Sequence, residues 1–161
     1  MGRVGITGTN SGNSSLPQFS LEQKNYENLV NKISMQDLIN ELKNEDIKFI
    51  EKDIVFIKKD ESSKTVWLEI GNEDAGLTHI IKNHAEDFEK ALNVDKKQIP
   101  SIISITISCE NLVNTSERIG KNGKTEIRKL YKYNRKYYLA ISFGDNGFIV
   151  TSYPKKAKNI W

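Results

Sequence analysis

Cysteine is nearly absent, with Cys109 alone in 161 residues. An intramolecular disulfide is therefore impossible and a thiolate metal cluster is excluded, so the domain is expected to act in a reducing cytosol. Long apolar runs are missing as well. None approaches the roughly 18 residues that a membrane span needs. The opening Met-Gly-Arg-Val-Gly-Ile has no apolar stretch leading to a small-residue cleavage site, which predicts no cleaved secretory signal. Histidine occurs twice, as His79 and His84, and with no third imidazole or second thiol neither a metal site nor a cofactor is expected. Carboxylates nearly vanish from the C-terminal part. From Arg118 to Trp161, eleven Lys/Arg face only Glu126 and Asp145, a balance of +9 that leaves −6 for the rest of a chain of net charge +3. That split suggests one face that attracts polyanions, although a lysine-rich solvated strand surface would give the same count.

What is present fits one domain, since domains usually hold roughly 100–200 residues. Residues 1–18 are rich in Gly, Ser, Thr and Asn, end near Pro17, and read as a flexible linker. Residues 19–161 then form a single α+β domain. A helix is expected after Ser20, with Gln23 at the capping-box position, and a second after Ser34, with Leu38, Ile39 and Leu42 on one side. The period then changes. Ile54–Ile57 and Thr65–Ile70 are β-rich runs joined by a polar connection, which fits a hairpin. A helix from about Ala75 to Leu92 places Leu77, Ile80, Ile81, His84, Phe88 and Leu92 on one stripe. Residues 99–107 fit a helix by the spacing of Ile99, Ile102 and Ile103, while Ile103, Ile105 and Ile107 alternate as a strand would. Thr125–Tyr133, Tyr137–Phe143 and Phe148–Tyr153 are separated by turn residues and predict a three-stranded antiparallel meander. In the last strand, strict alternation sends Ile149, Thr151 and Tyr153 one way and Phe148 and Val150 the other.

Two glycine-rich stretches imitate nucleotide-binding loops. Val4–Gly12 lacks a buried strand before it and a helix after it, and Gly120–Thr125 leads into a strand, as a basic hairpin tip would. The segment that carries chemistry is Gly76-Leu77-Thr78-His79-Ile80-Ile81-Lys82-Asn83-His84. Its histidines are five residues apart, about 140° around a helix, so they do not share a face as i, i+4 zinc ligands do. His84, on the apolar stripe, points at the sheet; the plain alternative is a hydrogen-bonded core histidine. His79 lies near the helix start on the more polar side.

The pattern Gly-Leu-x-His-Ile-Ile-x-x-His, an Ile-rich stretch, then a meander ending Phe148-Ile149-Val150-Thr151-Ser152-Tyr153-Pro154, resembles the barnase/EndoU/colicin/RelE-like nuclease superfamily. The likeness is greatest to its phage-associated and polymorphic-toxin branch and covers roughly residues 50–155. It implies helices packed on a four-stranded antiparallel sheet and metal-independent cleavage of RNA. It also implies use as the C-terminal part of a larger delivered protein, neutralised by a cognate immunity protein.

RNA supplies its own nucleophile, the 2′-OH, so the protein needs a base, an acid for the leaving 5′-oxygen, and cations for the phosphate. Imidazole suits proton transfer near neutral pH. His84 is the first candidate and His79 the second, with Lys82 or Lys64 as charge partner. Arg128 could hold the scissile phosphate through its planar fork, and Thr151 and Tyr153 could orient phosphate or base. Lys121, Lys124, Lys129, Lys132 and Arg135 would bind backbone phosphates, and Tyr131, Tyr133, Tyr137 and Tyr138 could stack bases, though core packing claims at least half of these tyrosines. The expected activity is that of an endoribonuclease acting on tRNA or other structured RNA and leaving a 2′,3′-cyclic phosphate. A non-catalytic RNA-binding or interaction module would draw on the same basic meander.

Overall fold

The computed structural model describes residues 34–159. The chain divides into two compact units, Met1–Gln36 and Asp37–Trp161. The expected linker over residues 1–18 and the helix after Ser20 lie outside the described residues. Residues 34–44 are helical (α1), with Ser34 already inside the helix and not at its cap. Among the described residues no helix is long and apolar enough to cross a membrane.

The unit beginning at Asp37 is α+β. Strands β1 (Ile54–Lys59) and β2 (Thr65–Glu69) form an antiparallel hairpin. Helices α2 (Leu77–Leu92) and α3 (Ile99–Thr106) follow. The remainder is a four-stranded antiparallel meander of β3 (Leu112–Ile119), β4 (Thr125–Lys132), β5 (Tyr137–Gly144) and β6 (Ile149–Lys156), in sequential order. Three of these strands were legible as sequence; β3 was not. Its stretch Asn114-Thr115-Ser116-Glu117-Arg118 is polar and mostly exposed, because it is an edge strand that buries little.

Two apolar clusters hold the unit. In the larger, Ile80 and Phe88 of α2 and Ile99 and Ile103 of α3 meet Val66 and Leu68 of β2 and Leu139, Ile141, Phe143 and Ile149 of the meander. The Ile99–Ile107 segment resolves as helix because Ile99, Ile103 and Ile107 all reach this core. The smaller cluster gathers Ile39 and Leu42 of α1, Ile57 and Trp67, with Phe49 and Phe148 packed edge-on to the indole.

The hairpin and the meander are joined where Trp67 bridges Phe148 and its N–H donates to the Gly147 carbonyl at 3.1 Å. Gly147 has φ +104°, and a Cβ there would lie 2.3 Å from the Thr65 carbonyl oxygen. Only glycine meets both demands. The glycine that opens the histidine motif has an equal reason. Gly76 adopts φ +93° and its N–H donates to Val150 O at 3.0 Å, which fixes the start of α2 beside β6.

One expectation about β6 is corrected. Between β5 and β6 the register runs Phe143↔Ile149, then Ser142↔Thr151, so Val150 is an extra residue. This bulge breaks strict alternation. Ile149 turns into the core with Phe143, while Thr151 shares the opposite face with Ser142. Adding one residue is what lets β6 feed both the core and the site.

Candidate active site

The sheet face away from the larger core carries the site. Register places Arg128, Ser142 and Thr151 in one row across β4, β5 and β6, and Leu130, Ala140 and Tyr153 in the next. Helix α2 packs along β6 and brings both imidazoles to this side. The His84 ring lies 5.1 Å from the Tyr153 ring, tilted by 30°, and the His79 ring is 5.9 Å from His84. The 140° helical separation does not part them, because both side chains lean toward β6. Arg128 Nη2 donates to Tyr153 Oη at 3.3 Å. Four of the five residues singled out for chemistry (His79, His84, Thr151 and Tyr153) line one cleft of about 1280 Å³, and Arg128 reaches it through Tyr153.

Each histidine is held by one ring nitrogen. His84 Nδ1 is 3.1 Å from Asp87 Oδ2, and a carboxylate only accepts, so Nδ1 carries the proton. His79 Nδ1 lies 2.9 Å from the Glu73 carbonyl and 3.1 Å from Asn83 Nδ2, an acceptor and a donor, so either tautomer finds a partner there. In neutral His84, Nε2 is left with its lone pair. The His84 side chain keeps 23% of its surface exposed, so it packs on tyrosine without being sealed. Asn83 Nδ2 donates to the His79 carbonyl at 3.0 Å and also lines the cleft.

Thr151 adds a further observation. The residue lines the cleft at 9% exposure, while its Oγ1 is itself covered and has no hydrogen-bond partner among the described residues. A buried hydroxyl without a partner costs roughly 1–3 kcal/mol. Ser152 Oγ is likewise unpartnered, but Ser152 pairs with Ile141 and belongs to the opposite face.

The cations expected to bind RNA are not all brought together. Lys121 and Lys124 sit on the β3–β4 turn and line the cleft beside Arg118. The glycine-rich stretch they occupy is the hairpin tip expected, closed by Gly120 N–H to Lys124 O at 2.8 Å. Lys64 reaches the Asp145 carbonyl, and Lys82 pairs with Glu73 at 2.5 Å, so Lys82 acts on α2's own flank. Lys132 and Arg135 are exposed at the far end of β4 and in the following turn, outside the cleft.

Lys129 is spent elsewhere. It lies on the core side of the sheet, 12% exposed, paired with Asp60 at 3.1 Å and with Glu61. It cannot also neutralise a backbone phosphate. Tyr131 is fully buried and donates to Glu61 Oε1 at 2.8 Å, so it stacks no base. Burial pulls the Lys129 ammonium down, but its bonds to Glu61 and Asp60 outweigh this and hold it above the ordinary lysine range. Burial pushes the Asp60 carboxyl up; hydrogen bonds from Ser62, Lys129 and the Lys64 backbone outweigh that and hold it below the usual range. Burial, reinforced by Glu61, raises the Tyr131 hydroxyl far above the tyrosine range.

Several site residues escaped the sequence reading. Asp87 could have been found from its i, i+3 spacing to His84 on a helix. Arg118 and Glu126 face each other at 3.4 Å across β3 and β4, which only the register reveals. Glu69, which accepts from the Trp67 indole at 2.8 Å, lines the cleft with Glu73, Asp74, Glu126 and Asp145. The cleft is thus of mixed charge, with Arg118, Lys121 and Lys124 at the β3–β4 hairpin end and Lys48 before β1 as its cations. Among the described residues no three His, Cys, Asp or Glu side chains are grouped as metal ligands. No protein-family model matches the chain, and no curated protein matches it.

Proposed function

We propose that this domain is an endoribonuclease toxin that cleaves tRNA or another structured RNA by attack of the 2′-OH. The observation that carries the reading is the His84–Tyr153–Arg128 chain at the cleft wall: a carboxylate-held imidazole lies against a phenol that a guanidinium touches from behind. A cleft that pairs proton-transfer groups with a phosphate fork suits phosphodiester chemistry better than simple binding.

In the proposed reaction one imidazole takes the proton from the 2′-oxygen as that oxygen bonds to phosphorus. The bond from phosphorus to the 5′-oxygen breaks, and the second proton-transfer group protonates the departing 5′-oxygen. The products are a 2′,3′-cyclic phosphate and a 5′-hydroxyl. His84 and His79 are the two candidates for base and acid, and the neutral His84 ring keeps its Nε2 lone pair available. Arg128 and the unpartnered Thr151 hydroxyl would meet the phosphate oxygens, and Arg118, Lys121 and Lys124 the neighbouring phosphates. Because the nucleophile belongs to the RNA, no metal ion is required to generate it, and the activity is expected to be metal-independent. The resemblance to toxin nucleases extends the proposal to a cognate immunity protein, a larger carrier and a cytoplasmic site of action.

The test is incubation of the purified protein with total tRNA in EDTA. Discrete cleavage is expected, with the rate falling on the order of 10²–10⁴-fold in His84→Ala and His79→Ala while circular dichroism stays that of the wild type. RNA binding without cleavage would replace the enzyme by a binding module, and no binding at low salt would leave an interaction domain.

A further inference from the structure

The polar face of the meander does not end at the cleft. Register sets Lys132, Tyr138 and Lys155 side by side across β4, β5 and β6. Each is four residues along its strand from Arg128, Ser142 and Thr151, so it shares their face, about 13 Å away by strand rise. The β4–β5 turn adds Arg135 and Lys136; Lys156, paired with Tyr137, lies on the other face at the same end, and Lys158 follows. Lys132, Arg135, Lys136, Lys156 and Lys158 are all exposed, and none makes an ion pair among the described residues.

The surrounding sequence offers them little neutralising charge. No Asp or Glu lies between Arg128 and Gly144 or after Asp145. From the adjoining segment, Lys132 N–H meets the Asn111 carbonyl, and exposed Glu110 precedes that residue. The cleft is different, since five carboxylates share its lining with four Lys and Arg. Electrostatic attraction and chemistry therefore sit in different places. Tyr138 is only half-buried and is flanked in register by Lys132 and Lys155, an arrangement that lets a base stack between phosphate contacts.

We propose that this end of the sheet is a second RNA-docking site. It grips the phosphates of a structured RNA while a distant part of the same molecule enters the cleft. The proposal rests on the ribonuclease reading of the cleft and deepens it: the preferred substrate is an RNA large enough to touch both places, and a trinucleotide is a poor one. Tethering at the basic end raises the local concentration of the scissile segment at the cleft.

The experiment compares the full chain with its Lys132→Ala/Arg135→Ala/Lys136→Ala variant on total tRNA and on a trinucleotide. On tRNA, kcat/KM should fall on the order of 30-fold, mostly through KM, and at least about tenfold more than on the trinucleotide. The salt dependence of tRNA binding should become shallower by about 2 in log–log slope. Lys132→Arg/Lys136→Arg, which keeps the charge, should keep the tRNA rate and so separates a docking role from misfolding. Equal loss on both substrates, or none on either, overturns the docking site. If the wild type cuts neither RNA the ribonuclease reading fails, and the change in tRNA affinity still decides the docking site. A variant that binds tRNA normally but loses binding to phosphatidylglycerol vesicles marks a membrane surface and overturns the proposal.

Discussion

Arg128 and Lys129 are neighbours on β4 and have opposite fates. Arg128 faces the polar side in a row with Ser142 and Thr151 and donates to Tyr153. Lys129 points to the other side, where Asp60 and Glu61 of the β1–β2 connection enclose it and its Nζ lies 5.5 Å from the Phe143 ring centre. The sequence presents both as members of one basic run. The two-residue period of a strand divides them into a group that can meet substrate and a group that holds the hairpin to the sheet. A count of cations is thus a poor guide to a binding face until register is known.

The sharpest way to break this comparison is to remove each side chain in turn. Lys129→Ala should destabilise the fold by about 3–5 kcal/mol in denaturant unfolding, since it strands two buried carboxylates. Arg128→Ala should cost only about 1 kcal/mol of stability while lowering tRNA cleavage on the order of 10²–10³-fold. Similar effects of the two variants on both measurements would erase the distinction.

The pH dependence of stability sharpens it further. Lys129 and Tyr131 have folded-state pKa values raised above the ordinary range, so their contribution is complete below about pH 10 and is lost as pH rises beyond it. Asp60 is lowered, so its contribution is complete above about pH 4 and is lost on further acidification through its folded value. Thermal unfolding should therefore show a plateau between these limits. Lys129→Met should flatten the alkaline limb, whereas Arg128→Met should leave it in place.

The smallest expected effect concerns Asp87. It acts through His84 and not on substrate, so Asp87→Asn should slow cleavage about tenfold, through kcat more than KM. A changed pH–rate profile with unchanged thermal stability would mark it as a positioning residue. An altered melting point with no change in that profile would make it structural.

Much of the fold was legible because its signals are local. The stripe from Leu77 to Leu92 is a helix, and the turn residues around Tyr137–Phe143 bound strands, because periodicity and turn chemistry act over a few residues. Strand β3 was hidden, since an edge strand written as Asn-Thr-Ser-Glu-Arg has no apolar alternation to reveal it. The bulge at Val150 was hidden too, because it depends on pairing with β5 and on the Gly147 carbonyl reaching Trp67. Both histidines, Thr151 and Tyr153, singled out in the sequence for chemistry, line one cleft. Lys129 and Tyr131 were assigned to RNA although they belong to a buried ion cluster, because nothing near them in sequence announces Asp60 and Glu61 some seventy residues away.

The central claim is that the RNA's own hydroxyl attacks while the cleft moves protons, and the chemistry of the cut end tests it most directly. Fragments released from tRNA in EDTA should carry a 2′,3′-cyclic phosphate on one side and a 5′-hydroxyl on the other. Fragments ending in a 3′-hydroxyl with a 5′-phosphate, or intact tRNA after prolonged incubation, would contradict it.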